Sequence, residues 1–369
     1  TPGVVSITPK SITVTANNQS VTYGSGTLPT LTYSVSGLVN GDTLAGALTT
    51  TAQAYTGVAG SGSAVGNYSI TQGTLLASSN YALTYVAGTL TVSPASLTIT
   101  ASNQTTTYGT AISNLGTSAF TVSGLVNGNT ISSVNLTYNG STAVSGSTAA
   151  NTYSGVLLPS NPVGSGLSNY SITYINGNLI VNPAALTIAA NNQQMSYGAS
   201  SMPSLTYTVS GLVNNESAAA VLTGGLSTSA TAYSGVTGSG SNAGTYPINQ
   251  GTLASNSNYV VTFTPGTLTV NPVNLTLTAN NQSTVYGTAL TLGSTAVTPV
   301  GLANGDIVTG VNLSYGVNNA NVVPSTVNAG SYAINISNAT GINANNYVMT
   351  YTPGVVSITP KSITVTANN

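Results

Sequence analysis

Apolar and polar residues alternate along most of this chain with the two-residue period of a β-strand. Residues 11–15 read Ser-Ile-Thr-Val-Thr, and residues 97–100 read Leu-Thr-Ile-Thr. Such alternation places Ile, Val or Leu on a buried face and Thr on an exposed one. No apolar run reaches the length of about 18 residues that a membrane-spanning helix requires. The pattern predicts a mainly β protein built from half-buried strands, with no membrane span in this segment.

The strand pattern recurs every 85 to 89 residues. Three landmarks keep this spacing: a proline after the closing strand, a Tyr-Gly pair and a Gly-Leu pair. The prolines are Pro9, Pro94, Pro183, Pro272 and Pro360, and the tyrosines of the Tyr-Gly pairs are Tyr23, Tyr108, Tyr197 and Tyr286. We therefore predict four domains, at residues 10–94, 95–183, 184–272 and 273–360. Residues 1–9 correspond to the last strand of a preceding repeat, and residues 361–369 to the first strand of the next.

A larger period contains the smaller one. Residues 352–369 repeat residues 1–18 letter for letter, so the same sequence returns after 351 residues. Identity over such a distance is typical of tandem structural arrays. Only two or three residues separate the predicted closing strand of one domain from the opening strand of the next, which is too short for free swivelling. We expect a tandem array of small β-rich domains arranged as an elongated rod.

One position carries an acidic residue beside a helix signal in three of the four domains. The three acidic residues of the chain, Asp42, Glu216 and Asp306, each lie five residues after the glycine of a Gly-Leu pair, and Asn129 holds that position in the second domain. We call this position the acid position. Asp and Asn favour the start of a helical turn, where the side chain accepts from free backbone N–H groups. The sequence predicts such a cap, with short helical segments at 42–48 and 216–222. Calcium needs six to eight oxygen ligands, far more than one carboxylate per domain supplies.

Glycine and proline add two local expectations. Gly88, Gly177, Gly266 and Gly354 recur inside the closing strand pair of each domain and indicate either a hairpin turn or a β-bulge. Pro299 interrupts an otherwise strand-like segment of the fourth domain. Because proline cannot donate to a sheet ladder, that strand must lie at an edge or be interrupted.

The composition argues against catalysis and metal binding. Charged residues make up 1% of the chain, and it has no His, Cys, Trp or Arg. Acid–base catalysis, covalent catalysis and ordinary metal sites need side chains that this inventory lacks. We therefore predict no enzyme activity, no catalytic, cofactor-binding or metal-ligating residue, and no cofactor. Nucleic acid is excluded as a partner because two lysines cannot hold a phosphate backbone.

The order of motifs resembles one known family. Each domain reads Leu-Thr-Ile-Thr-Ala-x-Asn-Gln, Tyr-Gly, Tyr-x-Val-Ser-Gly-Leu-Val-Asn-Gly-Asp, Gly-Asn-Tyr-x-Ile and Asn-Tyr-x-x-Thr-Tyr-x-x-Gly-x-Leu-x-Val, with small departures. This succession is similar to the MBG and YDG-type repeat domains of large bacterial surface adhesins, and it covers the whole chain. The resemblance implies secreted or cell-surface arrays. It also implies a small domain that is β-grasp-like with one short helix, for which an Ig-like β-sandwich is the alternative.

These observations favour a structural function. We expect a repeat segment of a giant secreted or surface-attached bacterial protein, which forms an extended stalk or an extracellular filament for adhesion or biofilm matrix. The expected partners are further copies of the repeat in the same chain and laterally associated chains, because rods of near-zero charge do not repel one another. A glycan-binding adhesin module is the alternative. The chain has 21 Tyr, but most recur at fixed strand positions, as core residues do.

Overall fold

The computed structural model describes residues 3–316 and 320–367, which are almost entirely β-structure. The chain divides into two compact units, Thr1–Ala184 and Ala185–Asn369, and each unit holds two of the four repeats. Every repeat contains a three-stranded sheet and a four-stranded sheet. The third and fourth repeats each add a two-stranded ladder.

Fourteen strands lie in the described residues of the first two repeats. In the first repeat they are Lys10–Ala16 (β1), Gln19–Thr22 (β2), Tyr33–Ser36 (β3), Thr49–Thr50 (β4), Gly66–Thr71 (β5), Tyr81–Val86 (β6) and Gly88–Ser93 (β7). In the second they are Ala95–Ala101 (β8), Gln104–Thr107 (β9), Phe120–Ser123 (β10), Ile131–Tyr138 (β11), Asn151–Gly164 (β12), Tyr170–Ile175 (β13) and Gly177–Asn182 (β14).

The second unit follows the same order with short additional strands. The third repeat has Ala184–Ala190 (β15), Gln193–Ser196 (β16), Tyr207–Ser210 (β17), Leu222–Thr223 (β18), Ser227–Thr228 (β19), Gly244–Asn249 (β20), Ala254–Ser255 (β21), Tyr259–Thr264 (β22) and Gly266–Asn271 (β23). The fourth has Val273–Ala279 (β24), Gln282–Val285 (β25), Leu290–Thr291 (β26), Val297–Val300 (β27), Gly310–Tyr315 (β28), Val322–Val323 (β29), Gly330–Thr340 (β30), Tyr347–Thr352 (β31) and Gly354–Thr359 (β32).

The two opening strands of a repeat lie in different sheets, and so do its two closing strands. In the first repeat, β1 lies between antiparallel β3 and parallel β6, whereas β2 pairs in parallel with β7 in the other sheet. Strands β5 and β4 complete that second sheet. The chain therefore changes sheets between β1 and β2, and again between β6 and β7. Only Pro94 separates β7 from β8, so the connection is even shorter than the sequence predicted.

The core of a repeat lies between its two sheets. Val14 of β1 packs in one buried cluster with Ile70 of β5 and Leu90 of β7, and each of the three is 0% exposed. This two-layer packing confirms the Ig-like β-sandwich alternative. The β-grasp-like arrangement is wrong, because it requires a helix packed on one sheet. The described residues contain one α-helix of four residues, Ala218–Val221, and 3₁₀ turns such as Leu167–Asn169.

The predicted helix is present in the third repeat and absent from the first. Gly224 lies eight residues after Glu216, whereas Gly46 lies only four residues after Asp42. Both glycines have a left-handed backbone, with φ of 87° and 90°, and a Cβ on either would lie 2.1 Å from a carbonyl oxygen of the facing segment. That contact fixes where the segment must end. The third repeat has four extra residues, enough for one helical turn of 3.6 residues.

Gly88 marks the change of sheets, and the hairpin and bulge interpretations are both wrong. A single residue separates β6 from β7, which lie in different sheets. A Cβ on Gly88 would lie 2.7 Å from the carbonyl oxygen of Ala16 at the end of β1. The counterparts Gly177, Gly266 and Gly354 would meet the equivalent carbonyl at 2.7, 2.7 and 2.4 Å. The glycine is required by a close backbone approach.

The fourth repeat confirms the expectation about Pro299. This residue lies in β27, an edge strand of the three-stranded sheet, and pairs with Leu277 on its inner side.

The fourth repeat differs from the first and third in one side-chain hydrogen bond of a glutamine. The side-chain nitrogen of Gln282 is buried and has no hydrogen-bond partner among the described residues. Its counterparts Gln19 and Gln193 donate to the hydroxyls of Thr32 and Thr206, at 3.0 and 3.1 Å. In the fourth repeat the position of this threonine is occupied by Ala296. The backbone shows the equivalence, because the Ala296 carbonyl accepts from the Asn280 amide just as each threonine carbonyl accepts from the amide of the matching asparagine.

Replacing Ala296 with threonine is expected to stabilise the fourth repeat by about 1 kcal/mol, because the new hydroxyl accepts from Gln282. The measurement is chemical denaturation of the chain and the Ala296→Thr variant. The reverse change, Thr206→Ala, is the control and should destabilise the third repeat by a similar amount. Equal stability of Ala296→Thr and the parent chain would contradict this account.

Candidate functional site: the joints between repeats

The residues at the acid position bind tyrosine hydroxyls. Asp42 Oδ2 accepts from the hydroxyl of Tyr81 at 2.6 Å. In the same way Glu216 accepts from the Tyr259 hydroxyl. The helix-cap interpretation is wrong at Glu216, since the α-helix begins after Ser217 and has no side-chain cap hydrogen bond. The acid position holds the tyrosine that opens the second-to-last strand of each repeat.

In the first unit this position also binds a tyrosine of the preceding repeat. Tyr23, from the Tyr-Gly pair of the first repeat, accepts at its hydroxyl from the side-chain nitrogens of Asn127 and Asn129, both at 2.9 Å. Asn129 donates in addition to the Tyr170 hydroxyl at 3.1 Å. The rings of Tyr23 and Tyr170 pack edge to face, with centroids 5.5 Å apart and planes at 84°. Tyr23 is 5% exposed, so its ring is buried in the boundary between the repeats.

Asn127 connects the two repeats most directly. Its backbone is left-handed, with φ of 55°, a conformation that Asn adopts more readily than other residues with side chains. Its Oδ1 accepts from the amide of Gly62 at 3.2 Å, and its carbonyl accepts from the amide of Gly60 at 3.1 Å. The side chain is 3% exposed. Asn127 therefore holds both Tyr23 and a glycine-rich loop of the first repeat.

The second unit repeats this arrangement between the third and fourth repeats. Asn304, with φ of 52° and 3% exposure, donates to the Tyr197 hydroxyl at 3.0 Å and accepts from the Gly240 amide at 2.9 Å. Asp306 Oδ2 accepts from the hydroxyls of Tyr197 and Tyr347, at 2.9 and 2.7 Å. The two rings again pack edge to face, 5.6 Å apart. Asp306 thus bridges its two tyrosine hydroxyls as an acceptor, whereas Asn129 bridges the equivalent pair as a donor.

A second contact lies beside each tyrosine pair. Asn169 Oδ1 accepts from the amide of Val65 at 2.8 Å, and Asn346 Oδ1 accepts from the amide of Ala243 at 2.8 Å. These asparagines directly precede Tyr170 and Tyr347 in the sequence. We use the word joint for the whole set: the Tyr-Gly pair and loop of one repeat, with the Asn-Gly pair, acid position and Asn-Tyr pair of the next.

Sequence reasoning found the tyrosines and the acid position but missed Asn127 and Asn304. The available signal was an asparagine two residues before the acid position in every repeat, at Asn40, Asn127, Asn214 and Asn304. Asparagine at a recurrent turn usually indicates only a left-handed backbone. Its role at a boundary between repeats follows from the three-dimensional contacts.

The joint of the second unit makes tyrosine ionisation costly. Burial, assisted by the neighbouring Asp306 carboxylate, raises the pKa of Tyr347, and burial is also the main cause that raises the pKa of Tyr197. At Tyr81 the hydrogen bond to Asp42 is the main cause of a raised pKa. In each case the folded protein favours the neutral phenol more strongly than the unfolded chain does.

The free energy of unfolding is therefore expected to fall as the pH rises above about 10, the pKa of tyrosine in the unfolded chain. The stabilisation is complete below that pH and is lost as the pH approaches the raised folded-state values. The measurement is urea denaturation between pH 8 and pH 12. Tyr347→Phe should show a shallower decline than the parent chain, whatever its stability at neutral pH. Parallel curves would contradict the assignment.

The described part of the chain shows neither a metal-binding cluster nor a membrane-spanning helix. Within residues 3–316 and 320–367, no three His, Cys, Asp or Glu residues lie close enough together to hold a metal ion. No helix in that part is long and apolar enough to cross a membrane.

Structural comparison finds solved structures of low similarity to this chain. The I-band fragment I67–I69 from titin is 13% identical, with a TM-score of 0.23, and the match covers 73% of this chain and 98% of the fragment. Drosophila N-cadherin EC1–4 is 10% identical, with a TM-score of 0.20 and coverage of 80% and 83%. Surface layer protein SbsC, domains 1–6, is 14% identical, with a TM-score of 0.18 and coverage of 83% and 48%.

Sequence comparison identifies the family. A search of curated proteins finds no match. The sequence profile of the MBG domain (YGX type) matches residues 12–91, 97–180, 186–269 and 275–357, which is most of the chain. The tyrosine and glycine of the Tyr-Gly pairs lie inside these four matches. The chain is thus a repeat region made of four tandem copies, and it belongs to the MBG domain family of the YGX type.

Proposed function

We propose that this chain is a non-catalytic structural segment of a secreted or surface-attached bacterial protein, in which the joints hold successive MBG domains in fixed orientation. The observation that carries the proposal is the joint itself, which the described residues of each unit form from the same residue types. One proline separates the strands on either side of each joint, at Pro94 and Pro272. A buried tyrosine and asparagine then cross the boundary. Such joints suit a spacer that transmits force or separates a tip from an anchor.

The supporting chemistry is the scarcity of reactive groups. Both described joints use tyrosine, asparagine and at most one carboxylate, and these groups satisfy one another by hydrogen bonds. Satisfied buried polar groups make a specific and rigid contact. A stalk in an adhesin and a subunit of an extracellular filament both need this property. They differ in whether neighbouring chains touch, which electron microscopy of the native array distinguishes as thin single threads or thick ordered fibres.

Small-angle X-ray scattering tests the spacer function. Four domains in a row, each about 35 to 40 Å long, give a rod of about 150 Å and a radius of gyration of about 40 Å. A compact protein of this length has a radius of gyration of about 21 Å. We expect the larger value for the parent chain, and a broader distribution of distances for the Asn127→Ala, Asn304→Ala double variant. A compact value for the parent chain would refute the spacer function.

Glycan binding remains an untested prediction. Stacking on a sugar needs exposed aromatic faces, and the strongly exposed tyrosines of the described residues are Tyr174 and Tyr286, at 41% and 43%. They lie in different repeats. A glycan array screened with the whole chain would decide, and specific binding there would favour an adhesin module over a plain spacer.

A further inference from the structure

The first repeat carries an exposed copy of the joint surface that the second and fourth repeats bury. Asn40 and Asp42 occupy the sequence positions of Asn127 and Asn129, yet both are exposed. Asn40 already has the left-handed backbone, with φ of 63° against 55° in Asn127. Asp42 already accepts from Tyr81 at 2.6 Å, as Asp306 accepts from its own tyrosine at 2.7 Å. We call Asn40, Gly41, Asp42 and Tyr81 the receiving face.

The fourth repeat carries the complementary half. Tyr286 holds the same backbone position as Tyr23 and Tyr197. Its amide donates to the carbonyl of Thr359 at 2.9 Å, and the amides of Tyr23 and Tyr197 donate to the equivalent carbonyls of their own repeats at 2.8 Å. Its side chain is 43% exposed, whereas those of Tyr23 and Tyr197 are 5% and 3% exposed. The tyrosine is therefore in place, with its side chain partly exposed to solvent. We call Tyr286 and Gly287 the inserting pair.

The glycines show the same difference. In the first joint, a Cβ on Gly24 would lie 2.4 Å from Val126, and a Cβ on Gly128 would lie 2.5 Å from Ala59. On Gly287, the counterpart of Gly24, a Cβ would meet Lys361 at 3.9 Å and no nearer described atom. On Gly41, the counterpart of Gly128, it would meet no described atom within 4 Å. The glycines are tight where a joint is formed and open on these two surfaces.

We propose that the receiving face and the inserting pair are the two halves of a further joint, which forms between successive copies of this unit. Tyr286 of one copy would dock between Asn40, Asp42 and Tyr81 of the next. The occupant is a second copy because residues 352–369 repeat residues 1–18, so the sequence after the fourth repeat begins as the first repeat does. Both halves also continue an interface that the described residues form within each unit.

This contact joins different surfaces of two identical units, so each copy keeps one free half with which it can bind a further copy. The inference goes beyond the proposed function, because it holds wherever the protein is located. It makes the 351-residue unit a self-complementary element that binds a further copy through the same chemistry as its own joints.

A cysteine trap tests the contact between separate molecules. The parent chain has no cysteine. In the formed joints, the amides of Val65 and Ala243 lie 2.8 Å from asparagine side chains of the next repeat. The equivalent positions are Ala329 on the inserting side and Asn80 on the receiving side, and both are exposed. We would mix chains carrying Ala329→Cys with chains carrying Asn80→Cys under mild oxidation and measure the disulfide-linked heterodimer.

The expected result is a heterodimer well above the background from random collision, for which Thr173→Cys replaces Ala329→Cys. Adding Asp42→Leu to the receiving chain, or Tyr286→Phe to the inserting chain, should lower the yield about tenfold or more, because each removes a hydrogen bond to a charged or buried partner. Asp42→Asn should retain the heterodimer, since Asn129 shows that an amide works at this position.

Two further measurements keep the test decisive. Tyr174→Phe in the inserting chain changes a tyrosine that is 41% exposed elsewhere and should leave the yield unchanged. Thermal unfolding of each variant alone establishes that it is folded. A heterodimer yield equal to the collision background, or one insensitive to both Asp42→Leu and Tyr286→Phe, would overturn the proposal.

Discussion

Replacing Asn127 with alanine is expected to uncouple the first and second repeats, with a cost of about 2 to 4 kcal/mol in the free energy of opening the joint. The side chain donates to the Tyr23 hydroxyl and accepts from the Gly62 amide, and it is 3% exposed. The variant leaves these partners buried without it. A buried polar group that loses its hydrogen-bond partner costs about 1 to 3 kcal/mol. Here the part-buried Gly62 amide loses its acceptor, and the Tyr23 hydroxyl keeps only the bond from Asn129.

Hydrogen exchange at the Val65 amide measures this effect. That amide donates to Asn169 across the same boundary but does not touch Asn127, so it reports opening of the joint and not the loss of one bond. Exchange through local opening follows the free energy of that opening. We expect the Val65 amide to exchange about 30-fold to 1,000-fold faster in the variant, the factor that corresponds to 2 to 4 kcal/mol.

Asn40→Ala is a matched control. Asn40 has the same left-handed backbone, with φ of 63°, and the same following glycine, but it is exposed. Alanine in this conformation costs about 1 kcal/mol through strain alone. The control should therefore show only this local cost and leave exchange at Val65 unchanged. If the two variants had equal effects, the function of Asn127 would be limited to its own turn.

The strand pattern and the tandem organisation were predictable because they depend on local order. Alternation fixes which residues of β1 face inward, and Ile12 and Val14 are 1% and 0% exposed, as the alternation predicts. The division into two sheets was less accessible. The close approach of Gly88 to the Ala16 carbonyl joins residues far apart in sequence, and a glycine in a strand pair looks the same whether it serves a turn, a bulge or a change of sheets.

The joint was predictable in its parts and not in its assembly. The acid position was recognised from its recurrence, but a cap is a local interaction and the observed partner of Asp42 is Tyr81, 39 residues away. The partner of Asn127 lies in another repeat, 104 residues away. A periodic sequence gives every repeat the same residues, so it does not distinguish a contact within a repeat from one across a boundary.

Gly24→Ala is expected to open the first joint by steric overlap, although Asn127 and the tyrosines remain. The new methyl group would lie 2.4 and 2.5 Å from Val126 carbon atoms, and φ at Gly24 is 78°. The left-handed backbone costs about 1 kcal/mol for alanine, and overlap in a packed contact adds about 1 to 3 kcal/mol. Thermal unfolding and exchange at Val65 should both show a weakened boundary between the first two repeats.

Gly287→Ala separates these two contributions. Gly287 has φ of 88°, but a methyl group there would meet Lys361 only at 3.9 Å. In a single unit this variant should therefore show only the conformational cost. In a chain of two successive units the same change in the first unit should become as damaging as Gly24→Ala, because the second copy would then pack against Gly287. A cost that stayed the same in the two-unit chain would contradict the joint between copies, even if the joints within each unit behaved as expected.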